Sequence, residues 1–203
     1  MRKMAALCIA AVLLTSCIGI DSRLSVRDDG SGTLALTYRV SQLVADVGLS
    51  TTGTSAVPLP LTRADFDHSV ESSAGKVRIT SFSRAEDDKD ITIKVVLAFD
   101  SFDSLARLDA FRDANLSLTT AGGRSTFTQL IARSPSEPLN PQSQQMLDAL
   151  FSDYTLSFVV EAPRPIQAST LGTLSADKKT LTYKATVKDV VSTSSDLQLT
   201  ASW

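Results

Sequence analysis

His68 is the only histidine in this 203-residue chain, so any serine–histidine or cysteine–histidine relay must use it as base. It lies between Asp67 and Ser69 on a short polar stretch, with no G-x-S-x-G motif nearby. That setting reads as a solvated surface imidazole. Gly30-x-Gly32 lacks the third glycine of a dinucleotide loop and leads into a strand pattern, so it reads as a hairpin turn. The run Glu86, Asp87, Asp88, Asp90 has the carboxylates that calcium takes, but Lys89 interrupts it. The glycine and closing glutamate of a calcium loop are also missing. A solvated turn that discourages edge pairing is the simpler reading. Paired carboxylates would serve glycan cleavage, yet their spacing is three-dimensional and no pair stands out. Phe102, Phe111, Met146, Phe151 and Phe158 suit a core, or alternatively the lining of an apolar cavity between sheet and helices.

The strongest chemical signal lies at the start. Arg2 and Lys3 precede an apolar run from Met4 to Leu14, which ends in Leu14-Thr15-Ser16-Cys17. A charged segment, a short apolar segment and small residues before a cut site form a secretory signal. The run falls short of the ~20 apolar residues that span hydrocarbon. Its end resembles the lipobox of bacterial lipoproteins, with an aliphatic residue at −3 and small residues before a cysteine. By that resemblance the chain is cut between Ser16 and Cys17, and Cys17 carries a thioether-linked diacylglycerol. An ordinary cleaved signal with an incidental cysteine is the plainer alternative. Cys8 leaves with the signal and the lipid consumes Cys17, so no thiol remains for a disulfide. One histidine without a free thiol does not make a zinc site, and the residues imply no cofactor.

Composition sets further bounds. Hydrophobic residues make up 43% and charged residues 21%, a globular balance. Loss of Arg2 and Lys3 leaves 18 basic against 22 acidic side chains, a mature net charge near −4. No segment collects the basic residues, which argues against nucleic acid and against direct adhesion to anionic lipid heads. Attachment would rest on acyl chains, each buried CH₂ contributing about 0.8 kcal/mol.

Residues 1–16 are thus expected to be a cleaved signal, 17–23 a lipidated cysteine with a short tether, and 24–203 a single domain. Within it, Leu24 and Val26 precede the turn Asp28 to Gly32, after which Leu34, Leu36, Tyr38 and Val40 alternate as in a half-buried strand. Ser41 to Val47 suits one or two helical turns, and 48–61 is the most loop-like stretch. Thr62 with Asp65 predicts an N-cap for a helix reaching about Ser72. Val77 and Ile79 pair across the acidic turn with Ile91, Ile93, Val95, Leu97 and Phe99. Ser101 is expected to cap a helix carrying Phe102, Leu105, Leu108 and Phe111. Residues 116–120 and 124–131 form a hairpin around Ala121-Gly122-Gly123. Asn140-Pro141 starts a helix whose stripe is Met146, Leu147, Leu150 and Phe151. Strands follow over Tyr154 to Glu161, Leu181 to Val187 and Leu197 to Trp203. The whole reads as α+β: an antiparallel sheet built from hairpins, with two or three short helices packed on one face.

Ser25 to Leu34 after a lipidated cysteine, the helix Ser143 to Phe151 running into a strand, and a C-terminal third carrying Val160-Glu161-Ala162-Pro163, Gly172-Thr173-Leu174 and Asp177 to Tyr183 occur in one order. That order resembles the LppM-type bacterial lipoproteins. The resemblance implies envelope localisation and binding of lipids or glycolipids, and supplies no catalytic residue. Members commonly continue into a C-terminal membrane helix, whereas this chain stops at Trp203, which leaves the acyl group as sole anchor. The expected function is therefore a non-enzymatic, lipid-anchored envelope protein on the exported side of the cell or outer membrane, binding a protein partner or an amphiphile. The alternative is a carboxylate-dependent enzyme acting on cell-wall glycan.

Overall fold

A computed structural model describes residues 18–42, 60–134, 142, 145 and 154–203. The expected signal, Ser16 and Cys17, most of the 41–47 turns and 48–61 loop, and the 143–151 helix apart from Gln145 lie outside the described residues.

Strand β1 (Ile18–Val26) and β2 (Gly32–Ser41) form the predicted hairpin, paired from Ile18↔Val40 to Val26↔Gly32. The bend rests on Gly30, whose φ of 79° suits a residue without Cβ. The tether expected over 18–23 is instead the first half of β1. Asp21, Arg23 and Ser25 face outward there, while Ser22, Leu24 and Val26 are buried. Its polar residues are thus those of a strand's wet face, which composition alone reads as linker.

Helix α1 (Arg63–Glu71) begins at the predicted capping box: Asp65 donates its N–H to the Thr62 hydroxyl, and the Asp65 carboxylate accepts from the Thr62 N–H. Strands β3 (Val77–Glu86) and β4 (Asp90–Phe99) form the second hairpin. The alternation of β4 is complete, with Ile91, Ile93, Val95, Leu97 and Phe99 all buried. In β3 the register slips between Ile79 and Ser81. The extra residue, Thr80, keeps Ile79 and Phe82 on one face although they are three apart, as a β-bulge does.

Helix α2 (Phe102–Ala106) is capped by Ser101 as expected. It ends sooner than predicted, and Phe111 falls on a following 3-10 helix, Asp109–Ala114. Strands β5 (Ser117–Ala121) and β6 (Arg124–Ala132) form the third hairpin. Then come β7 (Thr155–Glu161), the two-residue strands β8 (Ala168–Ser169) and β9 (Thr173–Leu174), and β10 (Thr180–Thr186). Val187, expected to end β10, opens helix α3 (Val187–Val191), because Thr186 and Asp189 build a second capping box. Strand β11 (Leu197–Ser202) closes the chain.

The fold is α+β, but the expected single antiparallel sheet is two sheets. One has seven strands in the order β3-β4-β2-β1-β7-β10-β9, and the other four in the order β5-β6-β11-β8. The larger sheet is mixed, because β1 runs parallel to β7 from Ile20↔Leu156 to Ser25↔Glu161. Alternation marks both as strands and is silent about the direction in which distant strands meet. Residues 162–174 then stitch the sheets together. Ile166 donates its N–H to the Lys178 carbonyl beside the large sheet, and Gln167 donates to Ser202 of the small one.

One core of buried residues draws on both sheets and the helices. Phe102 of α2 stands edge-on to Phe99 of β4 and to Phe127 of β6, with ring centroids 6.1 and 5.9 Å apart. Phe66 of α1 meets Phe82 of β3 in the same way at 5.7 Å. Such pairs add to area burial about 0.5–1.5 kcal/mol each. Phe82 lies opposite Val95 and so shares the buried face of β4. Helices α1 and α2 therefore both cover the inner side of the large sheet.

Candidate functional site

Among the described residues, those singled out for chemistry are not brought into one site. His68 lies on the exposed side of α1, its Nδ1 3.4 Å from a Glu71 Oε2, with 89% of its side chain in solvent. In the acidic turn, Asp87 accepts backbone N–H groups from Lys89 and Asp90, both at 2.9 Å. These bonds hold its carboxyl below the usual carboxylate range. Its Oδ1 is thus engaged in shaping the turn. No group of three His, Cys, Asp or Glu side chains that could hold a metal ion occurs among the described residues. Asp29 is likewise held low by the Ser31 hydroxyl and backbone N–H, as a turn residue beside Gly30. Phe102 and Phe158 are buried in the common core and Phe111 is partly buried against it; Met146 and Phe151 lie outside the described residues.

A different cluster sits where β1 begins, on the outer face of the large sheet. Gly19 of β1 lies opposite Arg39 of β2. Tyr154, just before β7, lies across Gly19: a Cβ added there would come within 3.3 Å of the Tyr154 ring. The Arg39 guanidinium stacks over the same ring, 5.3 Å from its centroid. The Tyr154 hydroxyl donates to Asp90 Oδ1 at 2.5 Å, and Arg39 reaches Asp90 Oδ2 at 3.9 Å. Asp90 is itself mostly covered, with 12% of its side chain exposed. The absence of a side chain at Gly19 thus lets one tyrosine brace four strands. Sequence reasoning missed this cluster because its members come from four separate segments. The one local hint is a glycine inside a strand pattern, which marks a close approach.

On the opposite, inner face, burial is uneven. Toward the end where the hairpin β1–β2 turns, Leu24, Leu34, Leu97, Val160 and Leu181 are all buried. Nearer the start of β1, Ile20, Leu36, Tyr183 and Ala185 are only partly covered. Tyr38 is buried among them and donates its hydroxyl to the Pro60 carbonyl. Burial, with the Asp65 charge adding to it, pushes its phenol far above the ordinary value, so it stays neutral. The four partly covered residues flank the buried Leu156 and Phe158 of β7 on the same face.

In the arrangement of its strands and helices the chain is similar to the folded domain of the Mycobacterium tuberculosis LppM protein, whose structure was determined by NMR. The TM-score is 0.52 at 12% sequence identity, over 92% of this chain and 88% of that one. No known protein-family model matches the chain, and no curated protein matches its sequence. At that identity the likeness extends to the fold and to no individual side chain.

Proposed function

We propose that this chain is a lipid-anchored protein of the bacterial cell envelope, held on the exported side by acyl groups on Cys17, whose α+β domain binds an amphiphile without catalysing a reaction. The observation that carries the reading is the Leu14-Thr15-Ser16-Cys17 sequence behind a charged and then apolar leader. Cleavage between Ser16 and Cys17 would leave a thioether-linked diacylglycerol on the new N-terminus. Two or three chains of such length anchor durably, since each buried CH₂ contributes about 0.8 kcal/mol. The LppM-like fold supports the same reading. Among the described residues no helix is long and apolar enough to cross a membrane, so the reading assigns the anchoring to the lipid.

The ligand-binding part of the reading is supported by the partly covered apolar residues Ile20, Leu36, Tyr183 and Ala185 on one face of the large sheet. Apolar residues next to hydroxyls suit a molecule with a hydrocarbon portion and a polar head, a lipid or glycolipid. Replacing Cys17→Ala should move the protein from the detergent phase to the aqueous phase and abolish incorporation of labelled fatty acid. Unchanged partitioning would refute the anchor. Native mass spectrometry of protein purified from its own membranes should show lipid adducts; a bare mass in repeated preparations would leave a plain interaction module.

A further inference from the structure

The first residue of β1 directly follows the residue proposed to carry the lipid, and this leaves no slack. Ile18 is already paired with Val40, and consecutive Cα atoms lie about 3.8 Å apart. Strand β1 is moreover the fourth of seven in its sheet, so the attachment point is at the middle of the sheet's end and not at a corner. Neighbouring strands are spaced about 4.8 Å apart, so at this end β2, β4 and β3 extend about 14 Å to one side of it and β7 and β10 about 10 Å to the other. A lipid on Cys17 would therefore bring the whole end of the sheet to the bilayer surface.

We infer that this end of the large sheet, around Gly19, Arg39, Asp90 and Tyr154, rests in the headgroup layer of the membrane that holds the Cys17 lipid. The inference rests on the lipidation proposed above. Its residue types fit that layer. Tyr154 is half-covered, with an apolar ring and a polar tip, and the Arg39 cation lies against it; both belong where hydrocarbon gives way to water. The partner is zwitterionic phospholipid and not an anionic surface. Around this end Glu86, Asp87, Asp88, Asp90 and Asp189 stand against Arg39, Arg84, Lys89 and Lys188, a near balance that gives an anionic surface no attraction. Covalent proximity enforces the contact, and adhesion does not drive it. The domain consequently works at the membrane surface and does not reach across the envelope.

The test uses the full lipidated protein, extracted from cell membranes and reconstituted into phosphatidylcholine vesicles containing a lipid with a nitroxide on its headgroup. Trp203, the only tryptophan, is buried and pairs with Ser125 beside the small sheet, and serves as the shielded reference. In a Trp203→Phe background, Tyr154→Trp should lose roughly half of its emission to the nitroxide, as a residue in the interfacial belt does. Trp203 in the native protein should keep nearly all of its emission. A fluorophore on Lys89→Cys, which leaves Tyr154 untouched, should be quenched as well. Inserting a Gly/Ser tether of about six residues between Cys17 and Ile18, up to about 20 Å long, should restore the emission of both probes. Unquenched probes on protein that floats with the vesicles overturn the inference while the lipid anchor stands. Protein that fails to float overturns the anchor, and the inference with it.

Discussion

Replacing Gly32 by alanine puts the packing of β1 and β4 around β2 to a direct test. Gly32 sits between two strands, opposite Val26 of β1 and Phe99 of β4, and is buried. Its φ is not in the left-handed region, so conformational freedom is not what demands glycine there. Space is. An added Cβ would lie 2.0 Å from the Ser25 carbonyl oxygen and 2.6 Å from Phe99 Cζ. The oxygen belongs to backbone held in the β1 ladder, and the ring is wedged edge-on against Phe102. Neither is the free end of a flexible side chain. Overpacking of one methyl costs about 1–3 kcal/mol in cores that can adjust; here the upper end, about 3 kcal/mol, is expected. For a chain of this length each kcal/mol lowers Tm by about 2–4 °C, so the melt should fall by about 6–12 °C. Gly30→Ala supplies the comparison: its φ is 79° and nothing lies within 4 Å of an added Cβ. That change should cost only the left-handed strain of about 1–2 kcal/mol. Urea unfolding followed by circular dichroism, in the unlipidated Cys17→Ala protein, measures both. A Gly32→Ala cost equal to or below that of Gly30→Ala would refute the close approach of β1, β2 and β4 described here.

Two other perturbations have defined outcomes. Leu105→Ala removes a side chain with 0% exposure from the core face of α2, three residues after Phe102, and should cost about 2–5 kcal/mol in the same assay. A loss under 1 kcal/mol would mean that α2 is not seated on the core. Partial burial draws the Asp65 carboxyl upward, but hydrogen bonds from the Thr62 hydroxyl and from the Thr62 and Leu61 N–H groups outweigh it and hold it below the usual range. A carboxyl lowered on folding stabilises above its unfolded value of about 3.9 and loses that contribution as pH falls through the folded value. Asp65→Asn should therefore be less stable than the parent at pH 7, with the gap narrowing as pH falls below about 3.9; a gap independent of pH would contradict the capping box.

Much of the fold was legible because the sequence marks it locally. Ile91 to Phe99 alternates without a fault, and Gly122-Gly123 separates two strand-like runs. Thr62 and Ser101 stand where caps are needed. What escaped was either non-local or hidden in a mixed signal. The 18–23 segment has the polarity of a linker because one face of β1 is wet. Thr80 breaks the period of two, which makes β3 look to end at Ile79. Val187 reads as one more alternating residue unless Thr186 and Asp189 are seen together as a capping pair. The parallel meeting of β1 with β7 has no local mark at all. Nor has the site around Gly19, since Arg39, Asp90 and Tyr154 converge only after four strands have assembled.

That parallel pairing also bears on export. Arg23 of β1 is bonded to Glu161 of β7 at 2.7 Å, across 138 residues of sequence. A central strand whose neighbour is made so late cannot be locked in place until most of the polypeptide has been synthesised, and such long-range closure is slow. If the proposed leader is recognised and cut, the segment beside the cleavage point would at that stage be unpaired with β7 and open to the enzymes that handle it. Once β7 is in place, β1 lies between two other strands, and a terminus processed as proposed would be withdrawn from further attack. Late zippering of this kind would let one sequence serve first as a substrate of the secretion machinery and afterwards as the middle of a sheet.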